Sequence, residues 1–117
     1  MAENRREFFR VLFNPLINGE VSIIEGGSFI SVKIDNLSIC GMGFISNIDI
    51  PMHQKVECSF NILDSSFTVE GFIIRKNAQT NYVEYGVAFE IDQETSSELF
   101  KQLNYYQIRQ RRGHLED

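Results

Sequence analysis

Tryptophan is absent from this chain, and proline, histidine and cysteine occur only twice each. Cys40 and Cys58 lie inside apolar, strand-like runs without C-x-x-C spacing, and His53 and His114 stand apart from both. No Cys or His falls at ligand spacing, so the sequence offers no metal site. Thiols in such runs are expected to be buried and reduced, as in a cytoplasmic protein. Long apolar runs are missing too. Nothing approaches the roughly 18 consecutive residues of a membrane span, and the charged opening Met-Ala-Glu-Asn-Arg-Arg is not a signal peptide. Basic charge is scarce: 11 Lys and Arg against 16 Asp and Glu leave a formal net charge of −5. That excludes a broad cationic face for DNA or for anionic lipid, though not a local basic cluster. No acid–base pair, nucleophile beside a base or metal set can be assembled, which argues against an enzyme.

Large rings are what the chain has instead. Ten Phe and four Tyr stand among 117 residues that are 43% hydrophobic, enough for the core of one compact domain. The middle of the chain reads as β. Val56 to Ile62 alternates apolar and polar without a break, as a half-buried strand does. Tyr82 to Ile91 alternates as well, and Ser28 to Ile34 puts Ile30, Val32 and Ile34 on one side. Phe67 to Ile74 is denser in apolar residues, as expected of a central strand covered on both faces. Gly26-Gly27, Leu63 to Ser66 and Asn77 to Asn81 supply turn chemistry between these runs. Five or six short strands at this spacing predict a mainly β antiparallel barrel or sandwich.

The C-terminal end changes period. Thr95-Ser96-Ser97-Glu98 has capping-box spacing, and Leu99, Leu103 and Tyr106 recur as on one helix face. A helix over about 94–111 is predicted, its apolar stripe against the barrel. Arg109, Arg111 and Arg112 at its end are expected to complement the helix dipole in a solvated tail or, alternatively, to add positive charge near an anionic ligand.

Two segments carry more than packing. One is Arg5-Arg6-Glu7-Phe8-Phe9-Arg10; the other is Asn36-Leu37-Ser38-Ile39-Cys40-Gly41, followed by Gly43. Together they resemble the PilZ domain, a bacterial receptor module for cyclic di-GMP, which carries RRxxxR near its start and [D/N]xSxxG some twenty to thirty residues later. The resemblance covers essentially the whole chain. It implies a six-stranded antiparallel split β-barrel with a C-terminal α-helix. It further implies a flexible lead-in over 1–13 carrying the arginines, and a barrel with its helix over 14–117. Phe8, Phe9 and Phe13 are expected to pin that lead-in to the barrel.

The implied ligand site is Arg5, Arg6, Arg10, Asn36, Ser38 and Gly41, with no cofactor besides the ligand. Arginine alone can pair with phosphate, fork onto guanine O6 and N7, and stack on a purine. Asn36 and Ser38, two apart, are expected to project to one side. The Asn36 carbonyl can accept from guanine N1–H or N2–H, and the Ser38 hydroxyl can donate or accept. Gly41 is expected to let a purine approach the backbone. Many family members have Asp where this chain has Asn36, so Asn36→Asp is expected to hold or improve affinity. The residue before RxxxR is here Arg5, whose charge offsets repulsion between the phosphates of two ligands, so a stacked cyclic di-GMP pair is expected. The resemblance also implies an unidentified effector protein as partner and a role in motility, biofilm, exopolysaccharide or virulence control. Two rival readings are a ligand-blind protein-interaction module and a small barrel for single-stranded nucleic acid. The first conflicts with the complete motifs, the second with the acidic charge.

Overall fold

The structure, a computed structural model, describes residues 9–24 and 27–113; Arg5, Arg6 and Phe8 lie outside the described residues. Six strands and one helix follow in order: β1 (Arg10–Ile23), β2 (Ser28–Ser38), β3 (Gly41–Ser46), β4 (Lys55–Ile62), β5 (Ser65–Ala78), β6 (Val83–Glu90) and α1 (Gln93–Arg111). Every pairing is antiparallel, and the strands close into a barrel in the order β1-β2-β3-β6-β5-β4.

Alternation decides which side chains fill it. Val56, Cys58, Phe60 and Ile62 of β4 face Phe67, Val69 and Ile73 of β5 in the core. Phe60 stacks with Phe67 and with Phe89, at centroid separations of 5.6 and 6.4 Å. Burial pushes the Cys58 thiol up to about 12, with neighbouring Glu57 adding to the shift. The group is a packed hydrophobe, not a nucleophile. Tyr85 stacks on Phe44 at 5.0 Å. Its hydroxyl donates to the Ile48 carbonyl at 2.7 Å and accepts from the Ile50 N–H at 2.8 Å, which fastens the β3–β4 connection.

Strand β2 runs through the second motif and ends at Ser38, so Asn36 and Ser38 lie at the end of a strand. Three expectations change. Strand β1 already begins at Arg10, inside the stretch assigned to the lead-in, because Val11 and Phe13 are buried in alternation. Strand β5 is paired on both edges but covered on one face only: Thr68, Glu70 and Ile74 are exposed. Its density of apolar residues reflects an exposed Ile74, not a second buried face. The helix cap is Asp92, not Thr95; the Asp92 side chain accepts from the Thr95 N–H at 2.7 Å, and the helix starts at Gln93.

Leu99 and Leu103, both fully buried, seat the helix as their spacing predicts. Phe9 meets Phe100 edge-on at 6.0 Å, and Phe13 meets Tyr106 edge-on at 5.3 Å. The chain at the end of the first motif and just after it is thereby tied to the helix. Among the described residues, no helix is long and apolar enough to cross a membrane.

Candidate functional site

One lateral row across the outer wall holds the site. Leu12 of β1 pairs with Asn36 of β2, Asn36 with Gly43 of β3, Gly43 with Gly86 of β6, and Gly86 with Arg75 of β5. Two adjacent glycines thus leave a stretch of bare main chain between Asn36 and Arg75. A cleft of about 290 Å³ opens there, lined by Arg10, Asn36, Met42, Ile74, Arg75, Gly86 and Val87.

Two β-bulges put these side chains on the outer wall. The β2–β3 register slips between Ile34 and Asn36, leaving Asp35 as the extra residue. Strict alternation from Ile30, Val32 and Ile34 would send Asn36 into the core. The bulge reverses the parity, so Leu37 is fully buried while Asn36 turns outward. A second slip between Ile73 and Arg75 makes Ile74 the extra residue of β5. It turns Arg75 outward from a position in step with buried Val69 and Ile73.

Arg10 donates from its guanidinium to Asn36 Oδ1. Asn36 Nδ2 in turn donates to Asp35 Oδ1 at 2.6 Å. Neither Arg10 nor Arg75 forms an ion pair among the described residues. Both guanidinium groups remain available to an anion. A Cβ on Gly43 would collide with Asn36 Nδ2 and stand 2.7 Å from Asp35 Oδ1; one on Gly86 would stand 3.1 Å from Arg75 Cζ.

The structure brings Arg10 and Asn36 together at the cleft; Ser38 and Gly41 are not among the residues that line it, and Ser38, buried where Asn36 turns outward, does not project to the same side as expected. Ser38 is fully buried, and its hydroxyl accepts from the Cys40 N–H at 3.0 Å, closing the turn into β3. At Gly41 the neighbour that leaves no room is main chain: a Cβ there would collide with the Val87 carbonyl oxygen of β6. Arg75 lines the cleft and Asp35 accepts from Asn36 beside it, and neither belongs to the motifs. The sequence did carry a signal for Arg75, since an arginine at a core-facing position of a strand requires the ladder to slip.

A larger cavity of about 670 Å³ opens among Gly19, Val32, Ser46, Phe60 and their chain neighbours. It contains none of the motif residues, so size and chemistry point to different places, and chemistry selects the smaller. No group of three or more potential metal ligands occurs among the described residues.

No curated protein sequence matches the chain. Solved structures do. The PilZ domain of YcgR from Escherichia coli, determined with c-di-GMP, superposes with a TM-score of 0.70 at 17% identity, covering 97% of this chain and 98% of that one. The longer YcgR complex gives 0.72 at 16% identity over 96% of this chain. The Bacillus subtilis inhibitor of motility (MotI/DgrA) gives 0.71 at 12% identity over 90% of it. This chain spans about half the length of those last two, 50% and 52% respectively. At such identities the likeness concerns the fold. The sequence itself matches the family model for the PilZ domain over residues 4–105, and the chain belongs to that family.

Proposed function

We propose that this protein is a cyclic di-GMP receptor whose ligand lies across the glycine-floored row, between Arg10 with Asn36 on one side and Arg75 on the other. The observation that carries the reading is the junction of the two motifs. Arg10 from the first and Asn36 from the second, 26 positions apart, share a hydrogen bond at one cleft. Guanidinium groups match phosphodiester and guanine acceptors, while the Asn36 carbonyl matches guanine donors. The missing Cβ atoms of Gly43 and Gly86 give the Asn36 amide and the Arg75 guanidinium room to lie against the sheet at the edges of the cleft. Arg5 and Arg6 enter from the chain preceding Phe9 as further phosphate and guanine ligands. Ser38 and Gly41 act by holding the β2–β3 turn. The YcgR structures with c-di-GMP support the same ligand class.

The protein is on this reading a cytoplasmic receptor and not an enzyme. It passes the second-messenger level to a protein partner in motility or biofilm control. Ligand contact with Arg5 and Arg6 couples the chain ahead of β1 to the barrel, so hydrogen exchange over residues 1–9 slows when ligand is added. Calorimetric titration with cyclic di-GMP, beside a single-stranded oligonucleotide, tests the proposal. Saturable heat with the dinucleotide alone is expected. Heat with neither ligand would favour the ligand-blind module, and heat with the oligonucleotide alone the nucleic-acid barrel.

A further inference from the structure

Asn36 stands between two neighbours of opposite hydrogen-bonding capability. An ionised carboxylate only accepts and a guanidinium only donates. The amide therefore has one compatible orientation: its NH₂ faces Asp35 Oδ1, 2.6 Å away, and its oxygen faces Arg10. A flipped amide would set carbonyl against carboxylate and NH₂ against guanidinium, with both contacts repulsive. Position 43 makes the arrangement possible, since a Cβ there would collide with Asn36 Nδ2 and crowd Asp35 Oδ1 at 2.7 Å. The bulge supplies the rest, for it is the extra residue, Asp35, that lies beside the outward-turned amide.

We infer that Asp35 is a positioning residue: it holds Asn36 with an acceptor facing the cleft and so makes the site select guanine over adenine. The inference rests on the cyclic di-GMP reading of this cleft. Guanine presents N1–H and N2–H donors on its Watson–Crick edge, whereas adenine presents an acceptor at N1. A locked carbonyl oxygen, with one lone pair engaged by Arg10 and one free, matches the first and opposes the second. An amide free to rotate would serve either base.

The same contact reverses one expectation from the family pattern. Asn36→Asp would place a carboxylate oxygen where the amide NH₂ now donates to Asp35. Two carboxylates would then face each other at hydrogen-bond distance, and one would have to take up a proton or move away. The substitution should weaken ligand binding here, even though Asp is the commoner residue in the family. Asn at position 36 and Asp at position 35 form a matched pair.

The test is a four-variant comparison of cyclic di-GMP and cyclic di-AMP affinities by calorimetry, using the full chain. The parent should prefer cyclic di-GMP. Asp35→Ala should cut that preference about tenfold or more, the scale of one base-edge contact, while circular dichroism shows the barrel intact. Asn36→Asp alone should bind cyclic di-GMP more weakly than the parent. The double variant Asp35→Ala/Asn36→Asp should recover the preference, because a carboxylate is an acceptor on both oxygens. A side-chain amide NMR spectrum adds a readout without ligand: the Asn36 NH₂ pair should be protected from solvent exchange in the parent and exchange faster in Asp35→Ala, where Arg10 alone still orients the amide. An unchanged preference in Asp35→Ala, or full affinity in Asn36→Asp, overturns the lock but leaves the receptor reading standing. No binding of cyclic di-GMP by the parent overturns both.

Discussion

The two halves of the barrel wall follow different rules. From Lys55–Phe72 to Ile62–Ser65, β4 and β5 pair without a single slip, and inward burial alternates cleanly along both strands. Across β2, β3, β6 and the far end of β5 the ladder slips twice, and glycines occupy adjacent positions in one row. In the first region each side chain is where a period of two puts it, and its work is packing. In the second, the departures from that period carry Asn36 and Arg75 onto the outside. Regularity there would have buried the two side chains to which the proposed site assigns ligand contact. Stability and recognition are thus separable by region, and each substitution below is chosen to move one without the other.

Phe60→Ala should have the largest effect. It removes a ring packed against Phe67 and Phe89 in the regular half, at a cost of about 3–5 kcal/mol. Thermal melting should fall by on the order of 15 °C or more, while cyclic di-GMP affinity per folded molecule stays near that of the parent. Loss of affinity in the folded fraction would break the separation.

Arg10→Ala should do the opposite. Removing a charge-assisted contact lowers affinity by roughly 1.5–3 kcal/mol, about ten- to over a hundredfold. The melting temperature of the free protein should barely move, since Arg10 is exposed. Lys at this position should restore only part, because the planar fork is lost. A calorimetric series of the three proteins checks all three statements.

Gly43→Ala sharpens the contrast. The added methyl has to displace the ends of the Asn36 and Asp35 side chains, not the backbone. Affinity should drop several-fold, with a melting shift much smaller than that of Phe60→Ala. Arg5→Leu probes count and not strength: calorimetry well above the dissociation constant should give two ligands per parent chain and a ratio nearer one for the variant. A parent ratio of one would reject the stacked pair.

The smallest effect is at the helix start, away from both regions. Accepting from the Thr95 N–H holds the Asp92 carboxyl below the usual carboxylate range. A depressed folded value means the cap stabilises fully above the ordinary carboxylate pKa and ceases to do so as pH falls through the folded value. Asp92→Ala should therefore lower the melting temperature slightly at pH 7 and leave it equal to the parent's in strong acid.

Much of the regular half could be read directly from the chain. Val56 to Ile62 alternates in sequence as it does in the barrel, and Leu99 and Leu103 mark the helix face that is buried. Arg10 and Asn36 could be paired in advance through the family pattern. What alternation could not show was the bulge at Asp35, because a bulge is a relation between two strands and β2 alone does not record it; the slip in β5 left one trace, an arginine in step with Val69 and Ile73. Counting by twos through Ile34 points Asn36 the wrong way, and counting through Ile73 buries Arg75. Ser38 departs from alternation too: two residues from the outward Asn36 it is buried, and its hydroxyl accepts from the Cys40 N–H.

Gly43 and Gly86, paired across β3 and β6, also determine what common mutagenesis can find. Scanning by truncation reports groups whose removal matters, and it would find Arg10, Asn36 and Arg75 as walls. The floor between them has no side chain to delete. It reveals itself only when something is added, and the answer then grows with the size of the addition. For this protein, a series of increasing volume at two glycines probes a part of the proposed binding surface that a complete alanine scan of its charged residues leaves untouched.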